Sequence, residues 1–285
     1  MPERLLLCTD LDRTLIPNGE QPESAGARDR FARLAAHPQV LLAYVTGRHR
    51  QLVEEAMAEY RLPLPDFVIA DVGTSLYRLA PGCGWQPDAT WEREISRDWK
   101  GKSSRELQRI LADIPGLRPQ EASKQNRHKV SYYLALDSDR AAVEQAIDQR
   151  LRAHAVHARQ VWSVDEPAAV ALLDLLPPGA GKYHAVAMLQ RLAGFSNDDT
   201  VFSGDSGNDI EVLASSIPAI LVANSTPEVQ AEALHRAAAS RHGASLYIAR
   251  GDFAGMNGNY SAGILEGIAH YHPALTPWMG LEATT

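Results

Sequence analysis

Six short apolar runs recur along this chain, and each stops at a polar or glycine-rich turn. They are Leu5 to Cys8 before TDLDRT, Val40 to Val45 before TGR, Phe67 to Ala70 before DVG, Val201 to Phe202 before SGDSGND, Ile217 to Ala223 before NST, and Leu246 to Ala249 before RGD. Unbroken apolar runs bounded by turns fit strands buried on both faces, and such strands belong to parallel sheets. Between them lie segments of helical period. His49 to Tyr60 sets Leu52, Val53, Ala56 and Met57 on one side, leaving Glu54, Glu55 and Glu59 as a solvated face. Tyr183 to Leu192 aligns Val186, Met188, Leu189 and Leu192 in the same way. Strand alternating with helix predicts an α/β core: a doubly wound, mostly parallel open sheet with right-handed crossovers.

The middle of the chain breaks this rhythm. Pro81, Gly82, Gly84 and Pro87, with Trp85 and Trp91, mark Pro81 to Glu94 as a linker. Beyond it the pattern reads helix (Ser103 to Asp113), strand (Lys129 to Leu136), helix (Ser138 to His154), strand (Val156 to Trp162) and strand (Ala169 to Leu176). This is a small α+β unit bracketed by α/β sequence, hence an insertion rather than a tail. The 285 residues, at about 150 per domain, suit that division. The expected boundaries are 1–84 and 177–285 for the two parts of the core and 85–176 for the inserted domain. Ala231 to Ala239 reads as plain helix, and Thr284-Thr285 as a frayed end.

Composition narrows the function classes. With 28 Lys plus Arg against 35 Asp plus Glu the net charge is −7, so no basic excess draws the chain to nucleic acid or anionic lipid. Any anionic substrate must be captured locally. Cys8 and Cys83 are the only cysteines, too few for a disulfide framework or zinc cluster, which points to a reducing, cytoplasmic setting. Cys8, inside the first strand, reads as a small buried hydrophobe. The N-terminal apolar run is too short for a signal peptide, and no stretch approaches the roughly 20 residues of a membrane span.

Four motifs carry chemistry. The first strand delivers DLDRT, with Asp10, Asp12 and Thr14 at its carboxyl end, where doubly wound sheets place their ligands. Two neighbouring carboxylates do not both stay ionised unless a cation neutralises one or they share a proton, a division that supplies a nucleophile and an acid. Plain turn caps at a strand end would have the same composition. GDSGND, Gly204 to Asp209, adds Asp205 and Asp209 at a second strand end. The set suits a hard cation held by oxygen, Mg2+ above all, or else a Gly/Asn/Asp turn into a helix. Thr46-Gly47-Arg48 offers a hydroxyl, a residue without Cβ and helix N-terminal amides to an anion. Lys182, in GAGKYHA, can offset phosphoryl charge. The fragment fails the G-x-x-x-x-G-K-[ST] phosphate loop, because Tyr183 follows the lysine and Leu176 stands five before Gly181.

Taken in order, DxDxT, hydrophobic-Thr-Gly, Lys and GDxxND resemble the haloacid dehalogenase (HAD) superfamily of aspartyl phosphatases. The resemblance implies a HAD-like Rossmannoid core, with Asp10 as nucleophile and Asp12 as acid and base. It implies that Thr14, Thr46, Gly47, Lys182 and Asn208 surround the phosphoryl group. Mg2+ would be held by Asp10, Asp205 and the Asp12 carbonyl, with Asp209 supporting. An insertion between the Thr46 and Lys182 motifs is similar to the superfamily's C2-type caps. LLAYVTGR, DVGTSLY, QNRHKVSYYL, LLDLLP, GDSGNDI and AGILEGIAHY, spread over nearly the whole chain, look like the sucrose-phosphate phosphatases and their relatives. Tyr183 after the lysine and the segment Gly251 to Tyr260 depart from that pattern. The resemblance thus implies a Mg2+-dependent sugar-phosphate phosphatase of sucrose biosynthesis, with a sucrose-phosphate synthase-like glycosyltransferase as a candidate partner. Mannosylfructose phosphate, a glycosylglycerate phosphate, or a non-catalytic role beside a glycosyltransferase are the alternatives.

Selectivity falls to the inserted domain. Gln125, Asn126, His128 and Lys129 cluster before a strand and offer polar groups to a sugar phosphate, or else form an exposed strand end. Asp174, within LLDLLP, is an outward position or an acceptor for sugar hydroxyls. Trp85, Trp91 and Trp99 either stack on a sugar or, with more area to bury, pack the domain and its junction. His154 and His157 lack a third ligand and read as surface residues.

Overall fold

The computed structural model describes residues 4–80, 82, 84–165 and 168–281; Pro81, Cys83 and the Thr284-Thr285 end lie outside them. The chain opens with β1 (Leu5–Thr9), α1 (Ala27–Ala35), β2 (Val40–Val45), α2 (Arg50–Tyr60), β3 (Phe67–Ala70), β4 (Ser75–Ala80), β5 (Gly84–Pro87) and α3 (Ala89–Ser96). There follow α4 (Ser104–Ile110), β6 (Arg118–Pro119), β7 (Val130–Leu134), α5 (Arg140–Ala153), β8 (Arg159–Asp165) and β9 (Val170–Leu176). The last part comprises α6 (Lys182–Ala193), β10 (Thr200–Gly204), α7 (Ile210–Leu213), β11 (Ala219–Leu221), α8 (Pro227–Ala239), β12 (Leu246–Ile248) and α9 (Ser261–Tyr271).

Among the described residues the strands form two sheets. The larger has eight, in the order β12-β11-β10-β1-β2-β3-β4-β5. All neighbours from β12 to β3 pair in parallel, and β4 and β5 return antiparallel at the edge. The run LLLCT of β1 shows why its apolarity is continuous. Leu5 and Leu7 enter one core with α1, α2 and α9, through Phe31, Leu34, Val53, Ala56, Leu265 and Ile268. Leu6 and Cys8 enter the other, with Trp91 of α3, Val186 and Leu189 of α6, Val212 of α7 and Ala233 of α8. Period-two side chains on a sheet covered twice leave no solvent face. The strand order reverses about β1, so the crevice for a ligand opens at its carboxyl end.

The smaller sheet, β6-β7-β9-β8, is antiparallel and lies in sequence between α3 and α6. Its Val130, Tyr132, Leu134, Leu173 and Leu175 pack on Leu107 of α4 and Ile147 and Leu151 of α5. The opposite face carries Lys129, Ser131 and Asp174, with Val161 opposite Asp174 and Arg159 two residues before it. No helix of the described residues is long and apolar enough to cross a membrane.

Within the stretch read as a linker, residues 84–87 and 89–94 are structured. Residues 84–87 pair with β4, and α3 buries Trp91 and Ile95 in the core beneath the large sheet. A division after residue 84 would therefore cut a strand, and the core's first part runs on through α3. The glycine and proline signals mark a hairpin at the sheet edge, where a residue without an N–H is tolerated in β5. Trp91 donates from Nε1 to the Gly73 carbonyl at 3.1 Å, and Trp99 is buried within the cap core; both pack rather than stack on a ligand. Trp85 meets Tyr77 edge-on at 5.4 Å and underlies Arg50. His154 and His157 are exposed, as are Glu54, Glu55 and Glu59. Cys8 is fully buried, and burial pushes its thiol well above the ordinary range.

Candidate active site

Four chain segments meet beyond the carboxyl ends of the central strands. β1 ends at Thr9 and presents Asp10; β10 ends at Gly204 and presents Asp205; a 3₁₀ turn at Gly207–Asp209 turns Asp209 back; and α6 begins with Lys182. The Lys182 ammonium, fully buried, donates to Asp10 Oδ2 at 2.7 Å, Asp209 Oδ1 at 2.7 Å and Asn208 Oδ1 at 2.9 Å. All three of its donors are used. Asp10 Oδ1 accepts from the Leu11 amide at 2.7 Å. Asp209 Oδ2 accepts from the Asp205 and Ser206 amides, both at 3.2 Å. A Cβ on Gly204 would stand 2.5 Å from the Asp209 carboxyl carbon, so only glycine lets that carboxylate fold against the strand end.

Burial sets the electrostatics. It pushes the Asp10 carboxyl up to about 7, with the Asp209 charge adding to it and Lys182 opposing. Burial and Asp209 likewise raise Asp205 to about 6, against the pull of Arg13. Burial works against the charge on Lys182 too, but Asp10 and Asp209 more than offset it and hold the ammonium protonated. One oxygen each from Asp10, Asp205 and Asp209 lie within 4.8 Å of one another. Three buried carboxylates, raised values at two of them, and no sulfur or imidazole in the group make a donor set that fits a hard divalent cation.

Asp12 stands apart from that cluster. Arg48 forks onto it, Nε to Oδ2 at 2.8 Å and Nη2 to Oδ1 at 2.7 Å, and Asn18 donates to Oδ1 at 2.7 Å. Burial would raise this carboxyl, but Arg48 and Asn18 hold it below its ordinary value. A linked set of bonds fixes the loop beyond it. The Arg13 amide donates to Asn18 Oδ1 at 2.8 Å, Asn224 Nδ2 donates to the Arg13 carbonyl at 2.6 Å, and the Tyr260 amide donates to Asn224 Oδ1 at 2.8 Å. Thus the GNY end of the Gly251 to Tyr260 segment supports the first acidic motif.

Thr14, Thr46 and Gly47, expected around a phosphoryl group, have different surroundings. Thr14 donates to Asp205 Oδ1 at 3.2 Å, and Thr46 Oγ1 accepts from the Arg48 amide at 3.1 Å. Thr46 is fully buried at the end of β2. Gly47 has neither a left-handed φ nor a crowded Cβ position, so the fold alone does not demand glycine there. The neighbouring DVG turn does carry strain. Asp71 and Val72 both have positive φ, 53° and 60°, unusual above all for a β-branched residue. Their amides donate to the Arg48 carbonyl at 3.0 Å and the Thr46 carbonyl at 3.1 Å, locking the two loops together. Such strain, about 1–3 kcal/mol per residue, collects where surrounding structure imposes it at working sites.

The cap residues divide. Gln125 is engaged by its own strand edge, donating to the Gln120 and Ser131 carbonyls and accepting from the Ser131 amide, so both of its amide hydrogens are committed. His128 is buried against Trp99, ring centroids 5.9 Å apart, and burial lowers it to about 4. Asn126 reaches across to the core and donates to Thr74 Oγ1 at 2.7 Å. Gln125 and Asn126 are thus engaged by hydrogen bonds within the protein and His128 by burial, because a hairpin turn must satisfy its own backbone. Lys129 and Asp174 remain together on the face turned from the helices, Nζ to Oδ2 at 4.0 Å, with Ser131 donating to Asp174 Oδ1 at 2.5 Å. Sequence reasoning missed Arg13, Asn18, Arg48 and Arg159. Arg48 closes the TGR triplet and was within reach; Arg159 has no local motif.

The profile of the Sucrose-6F-phosphate phosphohydrolase family matches residues 3–272. A putative HAD-like hydrolase of Nitrosococcus oceani is 50% identical over 98% of this chain and 75% of its own length. Sucrose-phosphatase 1 of Nicotiana tabacum is 31% identical over 79% of this chain, which spans about half, 52%, of that protein. Mannosylfructose-phosphate phosphatase of Agrobacterium fabrum is 31% identical over 79% of this chain and 85% of its own. The sucrose-phosphatase of Synechocystis sp. PCC6803, solved with sucrose and phosphate, superposes with a TM-score of 0.68 at 26% identity, covering 94% of this chain and 98% of that one.

Proposed function

This chain belongs to the sucrose-6F-phosphate phosphohydrolase family, and on that premise we propose that it hydrolyses a glycosyl phosphate, sucrose 6-phosphate foremost, through an aspartyl-phosphate intermediate with Mg2+ bound. It is a phosphoric monoester hydrolase of the HAD superfamily, a sugar phosphatase related to sucrose-phosphatases and mannosylfructose-phosphate phosphatase. The observation that carries the finer reading is the buried meeting of Asp10, Asp205, Asp209 and Lys182. A scaffold without chemistry has no use for three carboxylates and an ammonium packed at that density.

In this reading Asp10 attacks phosphorus in line, forming an acyl phosphate and expelling the sugar oxygen. Asp12 delivers the proton that oxygen needs, then takes one from the water that hydrolyses the intermediate. Its fork to Arg48 stabilises the ionised, proton-accepting form, so the first step requires that fork to loosen as substrate arrives. Thr46 and the Gly47 amide bind the phosphoryl oxygens, Lys182 turns to them the donor it now gives Asn208, and Thr14 holds Asp205 in place. Mg2+ would be held by Asp10 and Asp205, with Asp209 and the Asp12 carbonyl assisting, and supplies charge neutralisation at the phosphoryl oxygens when bound. The cap face bearing Lys129 and Asp174 then supplies polar partners for the glycosyl part.

Two substrates compete. The likeness to the sucrose-phosphatases supports sucrose 6-phosphate, and the similarity to the Agrobacterium enzyme supports mannosylfructose phosphate. Cysteine scarcity supports a cytoplasmic setting, and a phosphorylated glycoside calls for a glycosyltransferase as its supplier. The test is phosphate release from sucrose 6-phosphate, mannosylfructose phosphate, a glycosylglycerate phosphate, fructose 6-phosphate and glucose 6-phosphate, with and without Mg2+. Sucrose 6-phosphate should exceed the monosaccharide phosphates in kcat/KM by at least about tenfold, or about 1.4 kcal/mol of transition-state binding. Equal rates on the monosaccharides, or a best rate on another glycoside, would overturn that assignment.

A further inference from the structure

Arg159 belongs to none of the motifs above, yet it joins the cap to two of the segments that build the site, the Lys182 loop and the turn after Asp209. It lies on β8, on the same sheet face as Asp174 and Lys129. Its Nη1 is bonded to Glu211 of α7, two residues beyond Asp209. Its Nη2 donates at 3.1 Å to the carbonyl of Ala180, two residues before Lys182. A Cβ on the intervening Gly181 would stand 2.8 Å from Nη2 and 3.1 Å from Glu211 Oε2, so the glycine of GAGK leaves room for the guanidinium. On the far side of that loop, a Cβ on Gly73 would come within 2.3 Å of Gly181's own carbonyl carbon. The loop is thus held between the strained DVG turn and the cap arginine.

From this arrangement, and on the phosphatase reading above, we infer that Arg159 is a positioning residue that clasps the closed cap onto the core and thereby makes turnover selective for substrates large enough to touch the cap. Lys182 does not depend on the clasp, because its three donors are already satisfied by Asp10, Asn208 and Asp209. What Arg159 fixes is the height and tilt of the sheet carrying Lys129 and Asp174. Asn126, bonded to Thr74, makes a second fastening at another edge of the cap, so Arg159 acts on how the cap seats and not on whether it folds. An arginine is suited to this role, because one planar group can serve a carboxylate and a carbonyl on two different segments at once, and a lysine cannot fork in that way.

The test compares Arg159→Ala, Arg159→Lys, Glu211→Gln, Glu211→Ala and the Arg159→Ala/Glu211→Ala double variant in the full chain. Two measurements are made: kcat and KM on sucrose 6-phosphate and on p-nitrophenyl phosphate, and the cap-to-core distance from fluorophore pairs at Ala141→Cys and Ala231→Cys. For Arg159→Ala the ratio of kcat/KM values, sugar phosphate over aryl phosphate, should fall at least about tenfold, mainly through kcat, with the cap-to-core distance lengthened. Arg159→Lys should recover part of the ratio, and the double variant should be no worse than the more affected single, since neighbours in one network are not additive. If Arg159→Ala does not fold, Glu211→Gln carries the test with the same expected direction. Unchanged ratio and distance in Glu211→Gln and Arg159→Ala, or additive losses in the double variant, would overturn the clasp. If the unaltered protein hydrolyses neither phosphate ester, the phosphatase reading fails, and the distance measurement alone then decides the clasp.

Discussion

Lys182→Met removes one buried ammonium and leaves its surroundings the same size. The structure gives this change a magnitude and a pH dependence. Lys182 is the only cation within hydrogen-bond reach of Asp10 among the described contacts, and it also pairs with Asp209. Breaking a buried pair from one side costs about 3–5 kcal/mol, because the remaining charge keeps its desolvation penalty without a partner. At about 2–4 °C per kcal/mol for a chain of this size, the melting temperature should fall by roughly 6–20 °C in EDTA at alkaline pH. The loss should shrink on acidification. Asp10 already sits at about 7 with the ammonium present, and without it the carboxyl moves higher still. The folded variant then holds a proton that the unfolded chain, with an ordinary aspartate value of 3.8, has released. Its stability therefore falls as pH rises through that window and is regained below it. Melting curves at pH 5.5, 7.0 and 8.5, with EDTA and with Mg2+, check each part. Mg2+ should raise the melting temperature of the variant more than that of the unaltered protein, since a bound cation replaces the missing charge. A pH-independent difference, or a variant as stable as the parent at pH 8.5 in EDTA, would refute the claim that charge at Asp10 and Asp209 is what Lys182 balances.

Asp10→Asn should fold normally and lose essentially all turnover on every phosphate ester, because an amide cannot attack phosphorus as a carboxylate does; substantial turnover by a folded variant would exclude Asp10 as nucleophile. Asp12→Ala should retain Mg2+ binding by calorimetry but lose about 10²- to 10⁴-fold in kcat on a sugar phosphate. That loss should be smaller on an aryl phosphate, whose leaving group needs no proton; equal losses would give Asp12 another part. EDTA should abolish activity and Mg2+ restore it, with Ca2+ a poor substitute because it prefers longer bonds and more ligands. Protons compete for Asp10 and Asp205, raised to about 7 and about 6, so calorimetry should find weaker Mg2+ binding at pH 5.5 than at pH 7.5, with proton release on binding.

What the chain wrote in its sequence is whatever local rules suffice to specify. A strand buried on both faces must be apolar throughout, so β1, β2, β3 and β10 could be read directly. The carboxyl ends of parallel strands are where ligands gather, and that rule alone places Asp10, Thr46 and Asp205 at one crevice. Lys182 and Asp209 followed from the order of the motifs. The inserted α+β unit was legible too, as an interruption of rhythm. Tertiary structure decided everything that depends on who stands opposite whom. Pro81 to Glu94 looked like a linker because glycine and proline break regular structure in either setting; only the pairing of β4 with β5 and the burial of Trp91 show that its residues from 84 onward extend the core. The bonds of Gln125 to its own strand edge, of Asn126 to Thr74 and the packing of His128 on Trp99 were not legible either, because polarity in sequence does not say which partner a group meets. Arg48 on Asp12 and Arg159 on Glu211 span 36 and 52 residues. A charge pair across that distance leaves no periodic trace in the sequence, because it is set by the parallel pairing that brings the ends of β1 and β2 side by side and by the seating of the cap against α7, and not by the neighbours of either residue along the chain.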